Sequence, residues 1–197
     1  MQILRLLAAL AAVAWLSAPA EAAQGDATQV IAGFQDTLVD VMKAAKKLGF
    51  DGRYKLLEPA VDSAFDIPFM TRVVTGSRWN NWSSTQQTEV TAAFRRFVIA
   101  TYARRFDDYD GEQFRIEETK PVSDGTLVRT EVVHAPDPPI TLTYLMKDAD
   151  DHPKVVDVFM TGTISELATR RSEFAAILDH DGYQGLLTAL DQKSKEK

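Results

Sequence analysis

The chain has no cysteine and only three histidines among 197 residues, so it forms no disulfide and offers few ligands for a transition metal. Its longest apolar run, Leu6 to Leu16, is little more than half the roughly 20 residues a bilayer-spanning helix needs. Basic charge is also in short supply. With 22 Lys and Arg against 28 Asp and Glu the formal charge is −6, and a surface of that sign repels phosphate backbones. Nucleic acid is therefore excluded as an expected partner. No nucleophile elbow, phosphate-binding glycine loop, dinucleotide fingerprint or paired-histidine helix occurs anywhere. What remains, at 45% hydrophobic and 25% charged, is the composition of an ordinary globular domain.

The apolar run belongs to a segment of its own. Residues 1 to 22 hold only Arg5 and Glu21 as charges, and the run is followed by Ser17-Ala18-Pro19-Ala20-Glu21-Ala22. A basic start, a short apolar centre and small residues at −3 and −1 form the layout of a secretory signal peptide, with cleavage expected after Ala22. Since lipid attachment at a bacterial cleavage site needs a cysteine, the processed product is expected to be unanchored and periplasmic. Residues 23–197 read as one domain.

Within that domain Val30, Ile31, Phe34, Leu38, Val41, Met42, Ala45 and Leu48 recur at three- and four-residue steps, which predicts an amphipathic helix from Asp26 to Leu48, capped by Asp26 and stopped at Gly49. Shorter helices follow at Arg53 to Ala64 and Ile67 to Val74, the latter ended by Gly76. Ser84 and Gln87 have capping-box spacing at the head of the longest helix, whose stripe is Val90, Phe94, Phe97, Val98, Tyr102 and Phe106, with Arg95, Arg96, Arg104 and Arg105 expected on the opposite face. After Gly111 the period falls to two, and Phe114 to Lys120, Thr126 to Ala135, Ile140 to Lys147 and Lys154 to Met160 read as four strands joined by short turns. Helical period returns after Gly162, breaks at Gly182 and ends in a polar tail expected to fray. The expected fold is α+β, a curved antiparallel sheet of about four strands covered by helices.

Candidates for chemistry are few. Asp148, Asp150, Asp151 and His152 lack the ligand spacing of a calcium loop and read as a solvated turn. Asp157, Tyr144 and His134 lie on predicted strands and could serve proton abstraction if their faces coincided; alternation groups Asp157 with Val155 and Phe159. The plainer reading makes Asp157 a hydrogen-bonded sheet residue, Tyr144 a core aromatic and His134 an edge residue. The arginine pairs 95–96, 104–105 and 170–171 are either solvated helix faces or contacts for an anionic headgroup or an acidic partner.

Tyr54-Lys55-Leu56-Leu57-Glu58-Pro59-Ala60-Val61, Thr75-Gly76-Ser77-Arg78-Trp79 and Thr101-Tyr102-Ala103 resemble landmarks of the MlaC-like, or toluene-tolerance, family. Val155-Val156-Asp157-Val158, Arg171-Ser172-Glu173-Phe174 and Gly182-Tyr183-Gln184-Gly185-Leu186-Leu187 continue the match in order. Gly162-Thr163-Ile164-Ser165-Glu166-Leu167-Ala168 is most similar to the hopanoid-associated HpnM branch, while Pro153 replaces a tryptophan frequent in the family. The resemblance implies a periplasmic carrier holding the apolar part of a phospholipid or hopanoid between sheet and helices. It also implies exchange with an inner-membrane ABC transporter bearing a mammalian-cell-entry (MCE) domain protein, and in the phospholipid branch with an outer-membrane lipoprotein. Neither a catalytic centre nor a cofactor nor a metal is expected. The cavity wall is expected from Val73, Val74, Phe94, Val98, Tyr102, Leu142, Tyr144, Val158 and Met160, with Arg95, Arg104 and Arg171 meeting headgroup or partner.

Overall fold

The computed structural model describes residues 20–149, 152–161 and 163–196; the expected signal segment lies outside them up to residue 19, as do Asp150 and Asp151 of the acidic turn. Helix α1 spans Ala20–Lys43 and α2 spans Ala45–Ala64. Where the sequence pattern predicts one helix from Asp26 to Leu48, the axis breaks at Ala44 and again at Gly49, whose φ of 61° and ψ of −175° suit glycine. Asp26 is consequently internal to α1 and is not its cap. Helix α3, Ile67–Thr75, starts on Asp66, which accepts a hydrogen bond from Phe69 N at 2.9 Å, and ends at Gly76 with φ 62°.

A 3-10 turn, Gly76–Asn81, leads to α4, Ser84–Arg105. Its capping box is Ser83 with Gln86, one residue ahead of the expected pair, because the Gln87 amide is taken by the carbonyls of Trp79 and Trp82. Helix α4 is the central element, packed on α2, α3 and α6, and it is buried at Ile99 and Ala103 as well as at Phe94, Phe97 and Val98. The expected single apolar stripe is thus only half of its buried surface. Buried Arg53 of α2 donates Nε to the Ala103 carbonyl at 2.8 Å, satisfying one of the open carbonyls at the end of α4.

Strands β1 (Gln113–Val122), β2 (Gly125–Val133), β3 (Ile140–Ala149), β4 (His152–Met160) and β5 (Ile164–Ser165) form an antiparallel meander in sequence order. The fifth strand, only two residues long, shows no period that a sequence pattern could reveal. Val128, Tyr144 and Val158 make one cross-strand row on the inner face, and Thr130, Leu142 and Met160 the next. Between Leu145 and Met146 the register slips, so that Leu145 pairs with Asp157 but Met146 with Val155, leaving Val156 as an extra residue. This bulge puts Val155 and Val158 on the same face, and separates Asp157 from the Val155 with which simple alternation would group it.

Beyond β5 come α5, Glu166–His180, and α6, Gly182–Lys195, with Gly182 at φ 64° making the turn. Helix α6 continues through the tail expected to fray. Its burial of Leu186 and Leu190 and its packing on α4 hold it in place.

Candidate functional site

A cavity of about 450 Å³ lies between the inner sheet face, α4 and the start of α5. That size falls within the range of small-molecule sites. Phe94, Phe97, Val98 and Tyr102 form its helix wall, Leu142, Tyr144, Val158 and Met160 its sheet wall, and Met42, Phe65 and Met70 lie along it from α1, the α2–α3 connection and α3. The aromatic side is continuous: Phe34 meets Phe65 and Tyr102 edge-on at 5.0 and 5.1 Å, and Tyr102 stacks on Phe106 at 5.8 Å. Such rings make a wall that keeps its shape.

The polar groups on and behind its walls are committed. Thr101 Oγ1, in the wall, donates to the Phe97 carbonyl at 2.8 Å; behind the sheet wall Gln35 Nε2 donates to Thr130 Oγ1 at 3.1 Å, and Thr130 Oγ1 donates to the Leu142 carbonyl at 3.2 Å. Burial pushes the Tyr144 phenol up to about 12, against a smaller opposing effect of its hydrogen bond with Gln35. Burial also drives Tyr102 well above its ordinary value, aided by Tyr144 and Glu166 and opposed by Arg105. Both phenols therefore stay protonated near neutrality, and neither is available as a base.

Asp157 reaches the cavity edge beside Leu167, but its carboxylate caps α5. It accepts from Leu167 N at 3.1 Å, from Val158 N at 2.7 Å and from Ser165 Oγ at 2.6 Å, while Ser165 Oγ accepts from Ala168 N at 2.8 Å. By register its side chain belongs to the sheet face opposite Tyr144. His134 lies past the end of β2, with Asp137 at 3.3 Å and Asp110 at 3.4 Å. Asp157, Tyr144 and His134 thus form no acid–base constellation. Among the described residues no cluster of His, Asp or Glu could hold a metal ion.

The mouth of the cavity is charged. Arg105, Asp107, Asp108, Glu112, Glu166 and Arg170 line it together with exposed Ile140. Arg105 Nη2 stands 3.4 Å from Glu166 Oε1, and Arg170 reaches Glu166 Oε2 at 3.5 Å and Glu173 Oε2 at 3.0 Å. The Arg170 guanidinium also covers the Phe97 ring, 5.2 Å from its centroid. Lys46 takes Asp108 at 3.4 Å.

Of the residues expected in the wall, Phe94, Val98, Tyr102, Leu142, Tyr144, Val158 and Met160 are brought together around this cavity. Val73 and Val74 are not: α3 contributes Met70, and one turn later it packs on α5, with Val74 fully buried in the core. The arginines differ as well. Arg95 is held by Asp62 at 2.6 Å and Glu58 at 2.9 Å on α2, Arg104 donates to the Glu196 carbonyl at 3.0 Å, and Arg171 packs over Gly76. The mouth instead receives Arg170 and Arg105, the latter on the cavity side of α4 and not on the expected opposite face. A signal for both exists in the sequence, since Arg105 continues the stripe Val98, Thr101, Tyr102 by three residues and Arg170 falls between Leu167 and Phe174.

Residues 33–192 match the family described as MlaC protein. A solved structure from Ralstonia solanacearum, described as a phospholipid-binding protein in complex with a phospholipid, superposes with a TM-score of 0.74 at 20% identity. The match covers 86% of this chain and 97% of that one, which establishes a shared fold.

Proposed function

The chain belongs to the MlaC family, and from that premise we propose that it is a carrier that takes the acyl chains of a phospholipid into the cavity between α4 and the sheet and leaves the headgroup at the charged mouth. The observation that carries this reading is the cavity itself: a largely apolar chamber whose charged lining, among the described residues, gathers at its edge and rim. Moving a two-chain lipid through water exposes roughly thirty methylenes at about 0.8 kcal/mol each, an unfavourable contact of roughly 24 kcal/mol that such a chamber reduces without any catalyst. The Ralstonia protein, bound to a phospholipid, supports the same choice of cargo over a polycyclic hopanoid.

The reading extends to place and partners. The family resemblance supports a periplasmic protein exchanging lipid with an MCE-bearing ABC transporter in the inner membrane and with an outer-membrane lipoprotein. Among the described residues no helix is long and apolar enough to cross a membrane, as a diffusing carrier requires. Enzymatic use of Asp157 and Tyr144 finds no support, because the carboxylate is engaged in capping and the phenol stays protonated.

Native mass spectrometry of protein taken from a periplasmic fraction tests the proposal. The expected spectrum contains a species heavier by one phospholipid. Protein that carries no lipid, and takes up none from vesicles, overturns the reading.

A further inference from the structure

We infer that the mouth of the cavity selects a zwitterionic headgroup, with its phosphate on Arg105 and its cationic amine over Asp107 and Glu112. The inference rests on the phospholipid-carrier reading, because tails filling the apolar chamber leave the head among the rim charges. Those charges are not equivalent. Arg170 is engaged by two carboxylates and by the Phe97 ring. Among the described residues Arg105 has one long ion pair, 3.4 Å to Glu166, and its side chain, which lines the cavity, is 44% exposed, so its guanidinium keeps donors to spare. A guanidinium in that state is a receptor for a phosphate.

The acidic side is the connection from α4 to β1. Asp108 is compensated by Lys46; among the described residues Glu112 Oε2 accepts the Asp110 backbone N–H, at 2.8 Å, and has no Lys or Arg partner, though its charge acts on the His134 imidazole. Asp107 lines the cavity mouth, is exposed, and its carboxylate has no hydrogen-bond or ion-pair partner among the described residues. With the internal pairs set aside, one guanidinium and two carboxylates without a Lys or Arg partner among the described residues remain around one opening. A headgroup bearing only a phosphate satisfies the first and is repelled by the second. A neutral polyol satisfies neither, and a phosphate ester with an ammonium group answers both.

The test is competitive loading. Delipidated protein is incubated with mixed vesicles containing equal amounts of dioleoyl phosphatidylethanolamine and dioleoyl phosphatidylglycerol, and the lipid it carries away is quantified by mass spectrometry. Identical tails on one vesicle surface remove differences in chain burial and in attraction of the whole protein to the membrane. The ethanolamine lipid is expected in excess by about two- to fivefold, the range of one exposed ion pair. Asp107→Asn combined with Glu112→Gln returns the ratio to that of the vesicle, and Asp107→Lys inverts it. Loading in the vesicle's ratio, a glycerol-lipid excess, or a ratio insensitive to both variants overturns the headgroup inference and leaves the carrier reading intact. Failure to load either lipid overturns both.

Discussion

Helix α4 has two buried faces that obey different rules. On the face turned away from the cavity, Ile99 and Ala103 are wholly inaccessible, whereas Phe97 and Val98 keep 5% and 8% of their surface, as do Leu142 and Val158 across the chamber at 8% and 9%. One face meets side chains and the other meets a void. Burial and packing are therefore separate properties on one helix. A void forfeits the dispersion contacts that a filled core would gain, and a ligand restores them. The packed face contributes stability, and the open face holds capacity in reserve.

The sharpest test of this contrast is a pair of truncations. Ile99→Ala is expected to cost about 2–5 kcal/mol in urea unfolding, and Val98→Ala less than half as much, because its lost methyls already face open space. Equal losses would break the distinction. Enlargement should reverse the functional order: Ile99→Phe overpacks and costs about 1–3 kcal/mol, whereas Val98→Trp leaves stability within about 1 kcal/mol and abolishes lipid loading from vesicles. A Val98→Trp protein that loads normally would move the chamber elsewhere.

Asp157 tests the border between the two regions. Asp157→Asn is expected to destabilise by about 1–2 kcal/mol through loss of the α5 cap, with lipid uptake retained; loss of uptake in a folded variant would give the residue a direct role in the site. The smallest effect belongs to the rim outside both faces. The His134 imidazole is raised above 6.5, first by its hydrogen bond to Asp137, which desolvation opposes, and further by the charges of Asp110, Glu112 and Asp137. A raised value means a stabilising contribution that is complete below pH 6.5 and fades as pH climbs through the folded-state value. Asp137→Asn is expected to lower the midpoint seen by NMR titration of His134. An unchanged midpoint would remove Asp137 as the cause.

The elements themselves were legible because their periods are long. Gly76, Gly111 and Gly182 marked the boundaries at positions of positive φ, and β1 to β4 lie where the two-residue period placed them, with β2 and β3 keeping their alternation and β1 and β4 each breaking it at a register shift. The inner stripe of α4 was legible for the same reason. Its outer burial was not, because Arg95, Arg96 and Arg104 interrupt that face and read as solvent when α2 and α6 in fact cover part of it. Choosing among adjacent arginines needs the helix rotation, and residues 104 and 105 differ by only about 100° around the axis. The β4 bulge was hidden because Val156 is a good strand residue on either face and no glycine or proline announces the extra position.

That bulge sets a quantity that no lining residue sets. An extra residue bends a strand and increases its twist, so the curvature of the sheet over the chamber depends on β4 containing one more residue than β3 at this point. Deleting Val156 would leave the pairs Tyr144 with Val158 and Met146 with Val155 available while straightening the strand between them. The volume of the chamber is to that extent written in the length of the chain: a gene could retune what fits inside by gaining or losing one codon, with every wall residue unchanged.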